Sequence, residues 1–161
     1  MAIVLEESLH ELMRSRKLKL AAAESCTGGL VSHRITNISG SSEYFPGGIV
    51  AYSYEAKATL LGVSWDTLNT FGAVSEETVR EMARGARGLF EADIAISVSG
   101  IAGPTGGTPE KPVGTTWFGL STRDGEWARH FVWQGDRDQN KHDSAEAAFQ
   151  FVIDYLEGNL A

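Results

Sequence analysis

A serine and a cysteine stand side by side where an apolar segment turns into a predicted helix. Ser25 and Cys26 follow the mostly aliphatic residues 18–23 and precede two consecutive glycines. A sharp turn from strand to helix lifts a nucleophile off the sheet edge and directs backbone N–H groups at the group under attack. We therefore expect nucleophilic catalysis by Ser25. The amides expected to hold the oxyanion are those of Thr27, Gly28 and Gly29.

Cys26 is the rival nucleophile, because a helix N-terminus lowers the pKa of a thiol. A single cysteine beside a turn is, however, more often a small buried apolar residue. No histidine stands in an evident partner position for it. We therefore place Ser25 first and keep Cys26 as the alternative.

A serine hydroxyl needs a base before it attacks a carbonyl carbon. The chain has four histidines, none of which stands in a recognisable triad context: His10, His33, His130 and His142. A lysine can replace histidine if burial makes it lose its proton. A shift of a lysine pKa from ~10.4 to ~8 costs roughly 3 kcal/mol, which a closed pocket can supply.

Lys57 is the candidate base, and Tyr52 is the candidate group that assists it. Both lie at the end of the second predicted strand, where an α/β sheet presents its reactive edge. On spacing alone, an exposed helix lysine and a half-buried strand tyrosine are the commoner interpretation.

A glycine-rich segment, residues 100–107, follows a predicted strand and is typical of loops whose backbone N–H groups hold an anion. Its candidate ligand-binding residues are Gly100, Gly103 and Thr105. Arg137 follows the last predicted strand and offers a guanidinium for a phosphate. A plain connecting loop and a surface Asp–Arg pair remain alternatives for these two features.

The composition excludes several classes of function. No Gly-Lys-Ser/Thr follows the glycine-rich segment, so the loop is not a P-loop and ATP is not indicated. One cysteine and no His-Glu-x-x-His spacing predict no metal site, and we expect no cofactor. A net charge of −7 argues against nucleic acid and anionic membranes as partners. No signal peptide or membrane span is evident, so we expect a cytoplasmic protein.

The elements that must position these residues alternate along the chain. Apolar periodicity predicts helices over residues 4–17, 28–37, 54–61 and 75–90, and a closing helix around residues 145–156. Strands are predicted over residues 18–23, 48–53, 93–99, 115–122 and 126–133, the last two joined by a type I′ turn at Asp124-Gly125. The sequence therefore predicts an α/β protein, a single three-layer α/β/α domain over residues 1–161, whose mixed sheet is mostly parallel.

Six ordered stretches together resemble one known family. They are residues 23–29, Tyr52 with residues 55–57, and residues 72–75, 99–104, 110–115 and 135–137. The combination is similar to the CinA C-terminal domain, the nicotinamide-nucleotide amidase family. The resemblance implies metal-free hydrolysis of nicotinamide mononucleotide to nicotinate mononucleotide and ammonia, a step of pyridine nucleotide salvage. It also implies that Ser25 is the nucleophile, Lys57 the base and Tyr52 an assisting residue.

Further expectations accompany this resemblance. We expect the stand-alone form of the domain, a homo-oligomer whose partner is the small-molecule nucleotide, with its phosphate against residues 100–107 and Arg137. Residues 46–51 depart from many relatives, which carry a bulkier, charged residue before the glycine and a threonine before the tyrosine. A nucleotide-binding module without turnover and a partner-interaction domain remain the alternative functions, the latter requiring a large exposed apolar patch.

Overall fold

The computed structural model describes residues 3–160. Its helices are α1 (Leu5–Arg16), α2 (Leu30–Thr36), α3 (Tyr54–Leu61), α4 (Trp65–Phe71), α5 (Glu76–Leu89) and α6 (Arg137–Leu156). Its strands are β1 (Leu20–Glu24), β2 (Gly47–Val50), β3 (Ile94–Gly100), β4 (Thr115–Thr122) and β5 (Gly125–Val132).

The five strands form one sheet in the order β2-β1-β3-β4-β5. β1 pairs in parallel with both β2 and β3, whereas β4 is antiparallel to β3 and to β5. Only β4 therefore runs against the common direction of the other strands, which confirms the predicted mixed, mostly parallel sheet. The strand predicted over residues 93–99 is present as β3 and is central, since it has two strands on each side.

Alternation along the strands distributes the core between two faces of the sheet. In β1, Leu20 and Ala22 pack with α1, α2 and α6, whereas Ala21 and Ala23 pack with α3, α4 and α5. Successive side chains of a strand point to opposite faces, so an entirely buried strand must be covered on both. The predicted three-layer α/β/α architecture is confirmed.

Two helices depart from the sequence prediction. α4 was not predicted, because it spans only Trp65–Phe71 and Leu68 is its one fully buried side chain. α6 begins at Arg137, well before the predicted apolar stripe, with Asp136 as its N-cap. Most residues of its first two turns are exposed, so they carry no apolar periodicity. No helix within residues 3–160 is long and apolar enough to cross a bilayer.

The predicted β4–β5 hairpin is confirmed, but its turn type is wrong. The register pairs Thr122 with Gly125, so the two turn residues are Arg123 and Asp124. Neither has a positive φ, which a type I′ turn requires at both central positions. The positive φ lies instead at Gly125, at +147°.

Candidate active site

Ser25 stands at the carboxyl end of β1, where the chain leaves the sheet and enters the turn before α2. Its backbone N–H donates to Val98 O at 2.9 Å, which continues the β1–β3 ladder by one residue. Gly28 and Gly29 follow with φ of +60° and +106°, a left-handed conformation that glycine adopts without a Cβ penalty. The predicted corner is therefore present, with Ser25 at its apex.

Glu24 holds this corner together and was not singled out from the sequence. Its buried carboxylate accepts hydrogen bonds from the Thr27 hydroxyl at 2.7 Å and from the N–H groups of Gly29, Val31 and Ser32 at 3.2, 2.9 and 2.9 Å. The Ser32 hydroxyl donates a further bond at 2.7 Å. A carboxylate at a helix N-terminus satisfies amides that have no partner within the helix. A charged residue ending an otherwise aliphatic strand was the available signal.

Lys57 reaches the nucleophile from α3. Ser53 caps this helix by accepting from Ala56 N at 3.0 Å, and the Lys57 side chain then points into the protein with 0% exposure. Its Nζ lies 2.9 Å from Ser25 Oγ, 2.9 Å from Ala51 O and 3.1 Å from Tyr52 O. The structure thus brings Ser25 and Lys57 together, as the sequence predicted.

These three contacts suit both protonation states of Lys57, since an ammonium donates to all three oxygens and a neutral amine needs only two acceptors. The carbonyl oxygens of Ala51 and Tyr52 can only accept, so they take the two N–H donors of an uncharged Lys57. The Ser25 hydroxyl can itself donate, so the nitrogen lone pair is left facing the proton that a base would remove.

Burial lowers the pKa of Lys57 from 10.5 to about 8, with the nearby Cys26 acting in the opposite direction. A low-dielectric surrounding disfavours the ammonium, because it loses its hydration. With a pKa of about 8, roughly a tenth of the side chain is neutral at pH 7. Lys57 has no carboxylate partner within residues 3–160 that would hold it charged.

Cys26 is a poor competitor for the role of nucleophile. Burial raises the pKa of its thiol to about 12, and the Glu24 carboxylate acts in the same direction. The thiolate is the reactive form of cysteine, and a thiol with this pKa forms almost none of it near pH 7.

The backbone of Tyr52 contacts Lys57, whereas its side chain points away and contacts Arg137. Its carbonyl accepts from Lys57, while its largely exposed phenol accepts from the Arg137 guanidinium at 3.3 Å. No hydrogen bond joins the phenol to Ser25 or Lys57 in the part of the chain described. The geometry therefore gives Tyr52 a positioning contact to the base and a second one to Arg137.

The turn amides are only partly available to an oxyanion. Gly28 N–H donates to Ser25 O at 3.0 Å, and Gly29 N–H donates to Glu24. The amides of Cys26 and Thr27 make no hydrogen bond to any residue between 3 and 160. The donors left for an oxyanion are therefore one residue earlier along the turn than the sequence predicted.

A cleft of about 210 Å³ opens over the nucleophile. Ala73 and Val74 form an apolar wall, and Ser99 and Arg137 bring polar groups. The Ser99 hydroxyl is buried and has no partner among residues 3–160, whereas Ser97 on the same strand donates to Val79 O at 2.5 Å. Sequence reasoning did not single out Ser99, because a buried polar atom without a partner is visible only once the strands are paired.

The glycine-rich segment encloses the cleft from the other side. Asn140 Nδ2 donates to Ala102 O at 3.0 Å, and Arg137 donates to Gly103 O at 2.7 Å. A Cβ on Gly100 would lie 2.5 Å from the Thr116 hydroxyl, and one on Gly103 would lie 2.5 Å from Val113, so close packing accounts for both glycines. Thr105 is exposed and lies outside the lining of the cleft.

The remaining candidates lie elsewhere. His10 pairs with Tyr44 at 2.9 Å, His130 stacks on Trp117, and no histidine lines the cleft. Residues 3–160 contain no cluster of three or more His, Cys, Asp or Glu side chains that could hold a metal ion.

Comparison with known proteins finds relatives over nearly the whole chain. The profile of the CinA C-terminal domain matches residues 3–156. The chain is 48% identical to a CinA-like protein of Thermotoga maritima, over 96% of this chain and 38% of that protein. It is 50% identical to a CinA-like protein of Chlorobaculum tepidum, over 94% of this chain and 37% of that one. The chain therefore spans less than two fifths of the length of these relatives.

Two solved structures superpose on this chain over nearly their full length. The competence damage-inducible protein A (ComA) of Klebsiella pneumoniae is 34% identical with a TM-score of 0.92, covering 95% of both chains. The competence/damage inducible protein CihA of Agrobacterium tumefaciens is 36% identical with a TM-score of 0.90, covering 98% of this chain and 99% of that one.

Proposed function

Because the chain belongs to the CinA C-terminal domain family, we propose that it is an amidase that hydrolyses nicotinamide mononucleotide to nicotinate mononucleotide and ammonia. The observation that carries the hydrolase part is the 2.9 Å contact between Ser25 Oγ and a fully buried Lys57 Nζ. The choice of amide follows from the resemblance of the site motifs to the amidase family.

The first step is attack on the carboxamide. Neutral Lys57 removes the Ser25 proton as Oγ bonds to the carbonyl carbon, and two carbonyl oxygens keep the amine in place. The oxygen of the tetrahedral intermediate receives hydrogen bonds from the amides of Cys26 and Thr27. One well-placed donor of this kind contributes about 3 to 4 kcal/mol in measured cases.

Collapse of the intermediate breaks the C–N bond. The ammonium of Lys57 returns its proton to the leaving nitrogen, so that ammonia departs and an ester to Ser25 remains. A water molecule then attacks the ester with Lys57 again as base. Nicotinate mononucleotide leaves, and both side chains return to their starting protonation states.

The cleft supports this orientation of the substrate. The pyridine ring packs against Ala73 and Val74, and the carboxamide faces Ser25. The Ser99 hydroxyl, which has no partner among residues 3–160, is available to bind the carboxamide. The ribose and phosphate extend out of the cleft toward its rim, where Arg137 lies.

The test is incubation of the purified protein with nicotinamide mononucleotide while ammonia and nicotinate mononucleotide are followed together. Stoichiometric release by the wild type, absent in Ser25→Ala, supports the proposal. Binding of the nucleotide without turnover would instead favour a nucleotide-binding module.

A further inference from the structure

The cationic side chains near the cleft differ in whether they already hydrogen-bond to other groups of the protein. The Arg137 guanidinium donates to Gly103 O at 2.7 Å and to the Tyr52 hydroxyl at 3.3 Å, so two of its nitrogens hold protein groups. This arrangement fixes the glycine-rich loop against the rim. Arg137 thus has part of its donor set committed before any ligand arrives.

Lys141 lies one helical turn after Arg137, on the same face of α6. Its Nζ is 3.8 Å from the position that a Cβ on Gly28 would take, which places the ammonium over the turn after Ser25. Within residues 3–160 it makes no ion pair and no hydrogen bond. The amine is therefore close to the corner without being engaged by it.

Four of the fourteen Lys and Arg side chains make neither an ion pair nor a side-chain hydrogen bond within residues 3–160, and they are Arg16, Lys17, Arg123 and Lys141. Of this group, Lys141 is the one that lies beside the turn after Ser25. Five arginines contact carboxylates: Arg14, Arg34, Arg80, Arg84 and Arg129. The Glu24 carboxylate does not pair with Lys141, because the turn and the start of α2 occupy it. Asp138 is the acidic neighbour on the same stretch of α6, and it is exposed.

We propose that Lys141 determines specificity for a phosphorylated substrate, by binding the 5′-phosphate of the nucleotide at the rim beside the Ser25 turn. The proposal rests on the proposed amidase function. With the carboxamide at Ser25, the ribose separates the ring from the phosphate, so the phosphate must lie outside the cleft. A chain with a net charge of −7 needs a local cation there to attract a dianion.

The experiment compares nicotinamide mononucleotide with nicotinamide riboside, which lacks only the phosphate. Lys141→Gln should lower kcat/KM for the nucleotide roughly ten- to a hundredfold, mainly through KM, because a charge-assisted contact is lost. The riboside should change much less. Lys141→Arg should restore most of the nucleotide rate, and Lys17→Gln, at the end of α1, should leave both substrates unchanged.

Binding is measured in parallel in the inactive Ser25→Ala background. There Lys141→Gln should raise the Kd of the nucleotide and leave that of the riboside nearly unchanged. Equal losses on both substrates, or no loss on the nucleotide, would overturn the assignment. If the wild type hydrolyses neither substrate but Lys141→Gln still weakens nucleotide binding selectively, the phosphate site stands and the amidase function fails. Failure of the Ser25→Ala protein to bind the nucleotide would overturn the phosphate site directly.

Discussion

The two sides of the cleft differ in how fully their polar groups are engaged within the protein. On the reaction side, formed by residues 24–27 and Lys57, the side chains are buried, and Lys57 and the Glu24 carboxylate have all their hydrogen-bonding partners. On the recognition side, formed by residues 100–107, Arg137 and Lys141, much of the loop is exposed and Lys141 has no partner within residues 3–160.

This difference follows from what each side has to do. A proton transfer needs a base and a nucleophile held at hydrogen-bonding distance before substrate arrives, because misplacement raises the barrier. Recognition of a charged substrate needs donors that are not already satisfied. The reaction side is therefore held by the sheet edge, whereas the recognition side retains unsatisfied charge at the surface.

The largest effect should come from removing the nucleophile. Ser25→Ala should lower kcat roughly 10³-fold or more, because no other group at the apex of the turn can form the ester. The matched change Cys26→Ala should keep most of the activity, since that thiol has a pKa of about 12. Ammonia release under saturating nucleotide measures both. An active serine variant with an inactive cysteine variant would reverse the assignment.

Removing the base should abolish activity without weakening the fold at neutral pH. Lys57→Met relieves the desolvation that lowers the lysine pKa from 10.5 to about 8, a difference worth about 3 kcal/mol. Between about pH 8 and 10.5 the unfolded wild type holds a proton that the native state lacks, so wild-type stability rises with pH there.

The variant lacks this contribution. We therefore compare the free energy of unfolding of Lys57→Met with that of the wild type at each pH. The variant's value minus the wild-type value should be largest below pH 8 and about 3 kcal/mol smaller by pH 10.5. Urea unfolding of both proteins across this range measures it. A difference that does not change with pH would mean that Lys57 is not desolvated in the native state.

The rate of the wild type should depend on pH through the same group. Because the neutral amine is the base, kcat/KM should rise about tenfold per unit below pH 8 and level off above it. Chelators should leave this profile unchanged, since Ser25 and Lys57 suffice for the proposed steps. A profile that falls with pH, or activity restored only by added zinc, would contradict a lysine base.

The sequence predicted the reaction side better than the recognition side, for a physical reason. A strand, a sharp turn and a helix leave local signals, and Ser25 and Lys57 each follow a predicted strand whose carboxyl end lies at the same sheet edge. Their meeting at 2.9 Å follows from that parallel topology.

Contacts between distant segments left no such signal. Lys141 was missed because only the packing of α6 brings it to Gly28. Glu24 differs, because its partners are local and its charge at the end of an aliphatic strand was a signal that could have been used. The start of α6 was predicted too late, because its exposed first turns depend on the Asp136 cap and carry no apolar pattern.

The smallest of these effects should distinguish the two cations of the recognition side. Arg137→Ala removes the contacts to Gly103 O and the Tyr52 hydroxyl, so it should loosen the wall that positions every substrate. We expect kcat/KM to fall roughly tenfold for both nicotinamide mononucleotide and its riboside, since neither lost contact touches the substrate and both substrates use the same wall. Arg123→Ala, on the exposed hairpin turn, is the matched control and should change neither rate.

The two cations should differ in substrate selectivity. Lys141→Gln should lower kcat/KM for the nucleotide much more than for the riboside, whereas Arg137→Ala should lower both alike. If Arg137→Ala instead lowers kcat/KM for the nucleotide alone, Arg137 binds the phosphate, as the sequence pattern predicts. Its remaining N–H donor would then bind the ligand despite the two contacts that the guanidinium makes within the protein.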